Sequence, residues 1–175
     1  MGYSAVFFSR MSLSDATMSF LNGMRDMVLA ALVVGFARGI EVVLQEGMIL
    51  DTLIYYASML LYHFPKTVAA EGMLVIQSVL NLFIPSGSGQ AMVTMPIMAP
   101  LADVLALTRQ TAVFAFTCGD GFSNTIIPTS GTLMAMLGLA KIPYEKWLRF
   151  MMPLFLLLMV FSSIFLAIAV AISYQ

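Results

Sequence analysis

Residues 81–92 read "NLFIPSGSGQAM", and this stretch decides how the chain is built. It lies between long apolar runs, yet it carries a proline, two glycines, two serines, an asparagine and a glutamine. A helix does not pass through it unbroken. Pro85 has no amide hydrogen and clashes with the turn before it, and Gly87 and Gly89 weaken any helix they sit in. A second stretch, "NTIIPTSGTLMAM" at 124–136, repeats the pattern. Asn81 and Asn124 each stand four residues before a proline, Pro85 and Pro128. An isoleucine precedes each proline, a hydroxyl residue follows it, and Gly and Met come after. The chain makes the same interruption twice, and the two asparagines are expected to do equivalent jobs.

Composition sets the surroundings of these breaks. Of 175 residues, 61% are hydrophobic and 10% charged, against roughly 25% charged in soluble domains. So few charges do not cover a soluble surface, and the expectation is an all-α polytopic membrane protein. A net charge of −1 argues against a nucleic-acid partner. The single cysteine, Cys118, excludes an intramolecular disulfide. A spanning helix needs about 20 apolar residues, so the chain has room for four or five crossings.

Working outward from the breaks gives the order of elements. Ser14 or Asp15 is expected to cap a short interfacial helix. A long apolar helix follows over 23–44, with Arg38 and Glu41 at i, i+3 as a packed ion pair. A shorter helix is expected over 51–63. Residues 67–106 read as a re-entrant hairpin, because the turn at 85–89 is uncharged and bare backbone at membrane depth must be lined by protein or a cavity. Residues 110–140 read as a broken helix, unwound around Gly119, Gly121 and Pro128. Residues 145–173 read as a spanning helix between the interface anchors Trp147 and Tyr174. The basic cluster Lys141, Lys146 and Arg149 places that loop in the cytoplasm.

The breaks offer a chemistry. Unwound backbone leaves carbonyls and amides without helical partners. Carbonyl and hydroxyl oxygens suit a hard cation, and half-helix N-termini suit an anion. Two matching interrupted segments point to a transporter site. Asp120, an ionisable residue between glycines, is a functional candidate by default. Neither break has a basic residue beside it in sequence, so a substrate with a positive group is favoured. No catalytic set emerges. Ser88 lacks the histidine that an intramembrane serine protease needs, His63 being the only one. Met92, Met95 and Met98 read as flexible packing rather than metal ligands.

Four segments, "NLFIPSGSGQA", "GDGFSNTIIPTSG", "ARGIEVVLQEGMILDTL" and "IPYEKWLRFMMP", resemble the C-terminal half of the YfcC-like transporters. That family is grouped with the C4-dicarboxylate carrier DcuC and with basic amino-acid antiporters in the ion-transporter superfamily. The resemblance implies one transporter-type repeat with a re-entrant hairpin and a discontinuous helix, in a multi-pass protein of the bacterial inner membrane. It implies a secondary active transporter, or half of one, for an amino acid (basic by preference) or a carboxylate. Ser86, Gly87 and Ser88 then fall at the hairpin tip, and Asp120, Ser123, Asn124, Thr125 and Thr129 on the broken helix. Asn81, Gln90 and Ser130 complete the candidate set. Ser123-Asn124-Thr125 is similar to the sodium-site signature of divalent-anion symporters, which gives a candidate sodium site at Ser86, Ser88, Ser123 and Asn124. No cofactor is expected beyond a coupling sodium ion or proton. A full family member is well over twice this long. The expected partners are therefore a small-molecule substrate, the lipid bilayer, a missing N-terminal repeat and a second copy in a homodimer. The alternative is a non-transporting membrane fragment or assembly subunit that needs the missing half.

Overall fold

The computed structural model describes residues 12–174, which form seven α-helices and no strand. They are α1 (Leu13–Glu46), α2 (Ile49–Tyr62), α3 (Lys66–Leu80), α4 (Gly87–Val104), α5 (Arg109–Ser123), α6 (Gly131–Ala140) and α7 (Tyr144–Ala171).

The first helix departs from expectation. No separate short helix is capped by Ser14 or Asp15. Ser12 is the N-cap, its hydroxyl accepting from the Asp15 amide at 3.1 Å, and a single 34-residue helix runs from there to Glu46. Ser12 is in addition hydrogen-bonded to the Asp15 carboxylate, so the cap lies two residues before the expected start. Gly23, Gly35 and Gly39 do not interrupt the helix.

Both proline-bearing stretches do interrupt. Asn81 is the C-cap of α3 and Asn124 the C-cap of α5. The local backbone repeats bond for bond. The amides of Phe83 and Ile84 both donate to the Leu80 carbonyl, and those of Ile126 and Ile127 both donate to the Ser123 carbonyl. Each following helix starts on a Ser-Gly pair, Ser86-Gly87 and Ser130-Gly131, with the serine as N-cap. The second break is one residue longer, and Thr129 is the inserted residue.

The helices pack around the breaks. At the first break the chain comes back on itself: the Gln90 amide donates to the Gln77 backbone carbonyl at 2.8 Å and to its side-chain oxygen at 2.7 Å. Beyond this point α3 and α4 part, and α5 packs against both. The α3–α5 contact is the most extensive in the fold, and α7 lies along both of these helices. The closeness of α3 and α5 comes from Gly119. A methyl group there would stand 2.8 Å from the Gln77 Cβ, 2.9 Å from the Leu74 carbonyl oxygen and 3.2 Å from the Ser78 amide nitrogen. Ala69, Ala70, Met73, Leu74, Ala112, Ala115 and Leu166, with Leu61 from α2, form the apolar core at these helices. On the other side, α1 packs on α6, where Val34 occupies the space a Gly131 side chain would need.

One helix among the described residues, α7, is long and apolar enough to cross a membrane by length and composition. The room for four or five crossings is not filled by helices of that kind. The breaks cut the apolar runs into helices of 15, 18, 15 and 10 residues, which at ~1.5 Å per residue are about 15–27 Å long. Against a hydrocarbon core of about 30 Å, each falls short alone. Large apolar side chains stand exposed along α1 (Phe20, Leu32, Phe36, Ile40) and α7 (Phe150, Leu157, Phe161, Phe165), a surface suited to lipid or further protein.

Candidate functional site

The two breaks touch. The Asn81 side-chain amide donates to the Asp120 carbonyl oxygen at 3.0 Å and to the Ser123 hydroxyl at 2.7 Å. The Ser123 hydroxyl is 2.6 Å from the carbonyl of Gly119, one turn earlier. From the other direction, the Thr129 hydroxyl donates to the Leu82 carbonyl at 3.0 Å. The asparagines therefore share a backbone position but not a task. Asn81 is fully buried and bridges the breaks. Asn124 folds back onto its own helix, donating to the Asp120 carbonyl at 2.9 Å and carboxylate at 3.1 Å. The expected equivalence fails because α5 ends against α3, so the Asn81 amide reaches across to the Asp120 carbonyl and the Ser123 hydroxyl while the Asn124 amide stays within its own turn.

Asp120 is placed differently from expectation. Gly119 and Gly121 lie inside α5, which remains helical to Ser123, and the unwound segment begins after them. Gly119 is there for close packing rather than for unwinding. Asp120 accordingly sits in the last turn of a helix. One of its carboxylate oxygens accepts from Asn124. The other lies 2.8 Å from where a Gly87 Cβ would be, at the first residue of α4. An anion at a helix N-terminus is favourably placed, and only a glycine leaves room for it here.

Two cavities flank the breaks. The larger, about 720 Å³, is walled by Met27, Ala31, Val34, Ala37, Arg38 and Glu41 of α1 and by Pro85, Ser86, Thr129, Gly131, Thr132 and Ala135. The second, about 480 Å³, includes Pro85, Asn124, Thr125, Ser130, Thr132, Trp147 and Met151 in its lining. Ser86 and Thr129 thus share one cavity and Asn124, Thr125 and Ser130 the other. Asp120 and Ser88 are not among the lining residues of either. Ser123 is buried beneath Asn81, and Gln90 is buried against Gln77. Ser86 accepts from the Gly89 amide as an N-cap. Of the four residues of the candidate sodium site, Ser86 is the α4 N-cap, Ser88 stands exposed in the first turn of α4, Ser123 is in buried contact with Asn81 and Asn124 lines a cavity.

Three features were not legible in the sequence. Arg38 does pair with Glu41, at 2.5 Å, but the pair lines the cavity shared by Pro85 and Ser86 of the first break and Thr129 of the second. The premise that no basic residue flanks either break is corrected by this packing of α1 against α6, which joins residues about a hundred positions apart. Second, Trp147 is not simply an interface anchor. Its indole donates to the Thr125 carbonyl at 2.9 Å, and the Tyr144 hydroxyl donates to the Ile126 carbonyl at 2.6 Å. The second break is thereby held level with the first turns of α7. Third, the side-chain oxygens of Asn81, Gln90 and Thr94 are buried without a hydrogen-bond partner among the described residues. Only the spacing of Gln90 and Thr94, one helical turn apart beside the break, hinted at this.

Comparison with known proteins assigns the class. The family model described as "DcuC: C4-dicarboxylate anaerobic carrier" matches residues 1–171, so the chain belongs to the DcuC family of C4-dicarboxylate anaerobic carriers. It is 41% identical over 159 residues to "Putative basic amino acid antiporter YfcC" of Escherichia coli (strain K12), covering 88% of this chain and 31% of that one. It is 37% identical over 167 residues to an "Uncharacterized protein" of Haemophilus influenzae, covering 95% of this chain and 33% of that one. The chain spans about a third of the length of these curated relatives. The resemblance to YfcC-like transporters holds, and membership points to a membrane carrier rather than an enzyme. No solved structure matches the chain.

Proposed function

We propose that this chain forms one repeat of a secondary active transporter that moves an amino acid or a carboxylate across the bacterial inner membrane, by ion coupling or by exchange. The observation that carries the reading is the junction of the breaks. Asn81, Ser123, Thr129 and the Asp120 carbonyl join two interrupted helices, and two cavities open beside the junction. Interrupted helices that meet in a membrane chain are the arrangement that transporters use to expose backbone groups to a substrate. In this reading α3 and α4 form a re-entrant hairpin whose tip, Ser86 to Ser88, meets the broken α5–α6 helix. Buried oxygens of Asn81, Gln90 and Thr94 without partners suit coupling to sodium or a proton. The relatives' greater length favours a partner N-terminal repeat, and by resemblance a homodimer.

That same difference in length favours a second reading, a membrane fragment or assembly subunit that binds nothing until it meets its other half. Thermal unfolding of the purified chain in detergent distinguishes the two. Succinate, L-arginine and other amino acids are added with and without sodium. A ligand that binds the folded state raises the midpoint in proportion to the logarithm of its concentration. A rise with any of these solutes supports the transporter reading. No rise with the chain alone, but a rise with a version extended to the relatives' length, supports the subunit reading.

A further inference from the structure

Resting on that transporter reading, we infer that Arg38 is the carboxylate anchor of the substrate site. The cavity that Arg38 lines has the right size and the right opposite wall. It holds about 720 Å³, and Ser86, Thr129 and Thr132 are among its lining residues, the Thr129 hydroxyl being already donated to the Leu82 carbonyl. The helix α6 begins on that wall after Ser130, whereas the start of α4 is already taken by the Asp120 carboxylate and the Ser86 cap. The Ser130 side chain caps none of the first amides of α6, so amides stay open where the helix dipole is positive.

Arg38 faces this wall from α1. Its side chain is 64% exposed, whereas the Glu41 side chain paired with it is 7% exposed. The buried carboxylate thus holds the guanidinium through one nitrogen, Nη1. That is Arg38's single polar contact among the described residues, and it leaves the Nε and Nη2 edge for a second partner. A guanidinium edge presents two parallel N–H groups, the geometry that takes a carboxylate in a bidentate pair. One such edge, the open amides at the start of α6 and the Ser86 and Thr132 side chains in the lining make the cavity complementary to a carboxylate. Glu41, whose side chain is 7% exposed, engages only Nη1 and leaves that edge free. The carboxylate could belong to an amino acid or to a dicarboxylate, since the anchoring chemistry is common to both.

The test is thermal shift of the detergent-solubilised chain with succinate, L-arginine and agmatine, which is arginine without its carboxylate. Wild type is compared with Arg38→Gln and Arg38→Lys. Expected are midpoint rises for wild type with succinate or L-arginine, affinities about ten-fold or more weaker in Arg38→Gln, and an intermediate loss in Arg38→Lys, which keeps the charge but not the fork. A solute bound only by wild type among carboxylates, and agmatine unaffected by the substitution, supports the anchor. Equal carboxylate binding by wild type and Arg38→Gln overturns the anchor and leaves the transporter reading standing. Should Arg38→Gln unfold before ligand is added, Arg38→Lys decides, and wild-type affinity in that variant overturns the proposal. Absence of binding by wild type removes the transporter reading for this chain, and the anchor with it.

Discussion

The side-chain amide of Asn81, at the end of α3, lies 2.7 Å from the hydroxyl of Ser123, at the end of α5. The two residues are 42 positions apart, and both are buried. Asn81→Ala removes the side-chain donor that crosses from α3 to α5 and empties a fully buried position between them. The expected cost is about 1–3 kcal/mol, read as a lower thermal midpoint in detergent. Asn124→Ala, which loses only contacts within its own turn, is expected to shift the midpoint less. Equal effects would restore the equivalence that the sequence suggested.

Gly119 and Gly121 stand two residues apart on α5 and are expected to respond in opposite ways. A methyl at Gly119 meets side chain and backbone of α3 at 2.8–3.2 Å, while one at Gly121 meets nothing within 4 Å. Gly119→Ala should destabilise by about 1–3 kcal/mol through overpacking. Gly121→Ala should be neutral or stabilise by up to ~1 kcal/mol from helix propensity. Thermal midpoints of the two variants settle whether Gly119 serves packing.

Asp120→Asn separates charge from shape. The variant keeps the carbonyl that Asn81 and Asn124 bond, and loses only the carboxylate charge beside Gly87. Folding and insertion should be retained. If Asp120 carries the charge for a cationic substrate or coupling ion, the sodium or pH dependence of ligand binding disappears. Unchanged ion dependence reduces Asp120 to a partner of the α4 N-terminus.

Tyr144→Phe and Trp147→Phe each remove one donor to the second break while keeping an aromatic ring. Each is expected to cost about 0.5–1.5 kcal/mol. A cysteine placed at Thr125 should react faster with a thiol reagent in either background, because the segment it sits in has lost a tether. An unchanged reaction rate would return Trp147 to the role of a lipid-facing anchor.

The breaks were legible because Pro and Gly act locally. Pro85 and Pro128 remove a donor wherever they fall, and Asn-x-x-x-Pro repeats at a fixed spacing, so the ends of α3 and α5 follow from neighbours in sequence. Asp120 was misplaced for a related reason. Glycine both weakens helices and permits close contact, and only the approach of α3 tells which applies at Gly119. Arg38 and Trp147 were out of reach altogether. Arg38 acquires its setting from Ser86 and Thr129, and Trp147 from Thr125, through packing between distant segments. A pattern of local propensities carries no signal for such contacts.

Four donors come within bonding distance of one acceptor, the Asp120 carbonyl oxygen: the Asn81 and Asn124 side-chain amides, the Asn124 backbone amide and the Ser123 hydroxyl. A carbonyl oxygen offers two lone pairs, so the donors are in surplus. Asn81 has a second acceptor in Ser123, and Ser123 has one in Gly119. Three of the four donors belong to α5 and its cap, so the one bond that crosses from α3 can be made or broken without leaving the oxygen bare. The junction of the two breaks is therefore a latch as much as a lock: Asn81 can release the Asp120 carbonyl at little cost to the end of α5, which keeps its own donors.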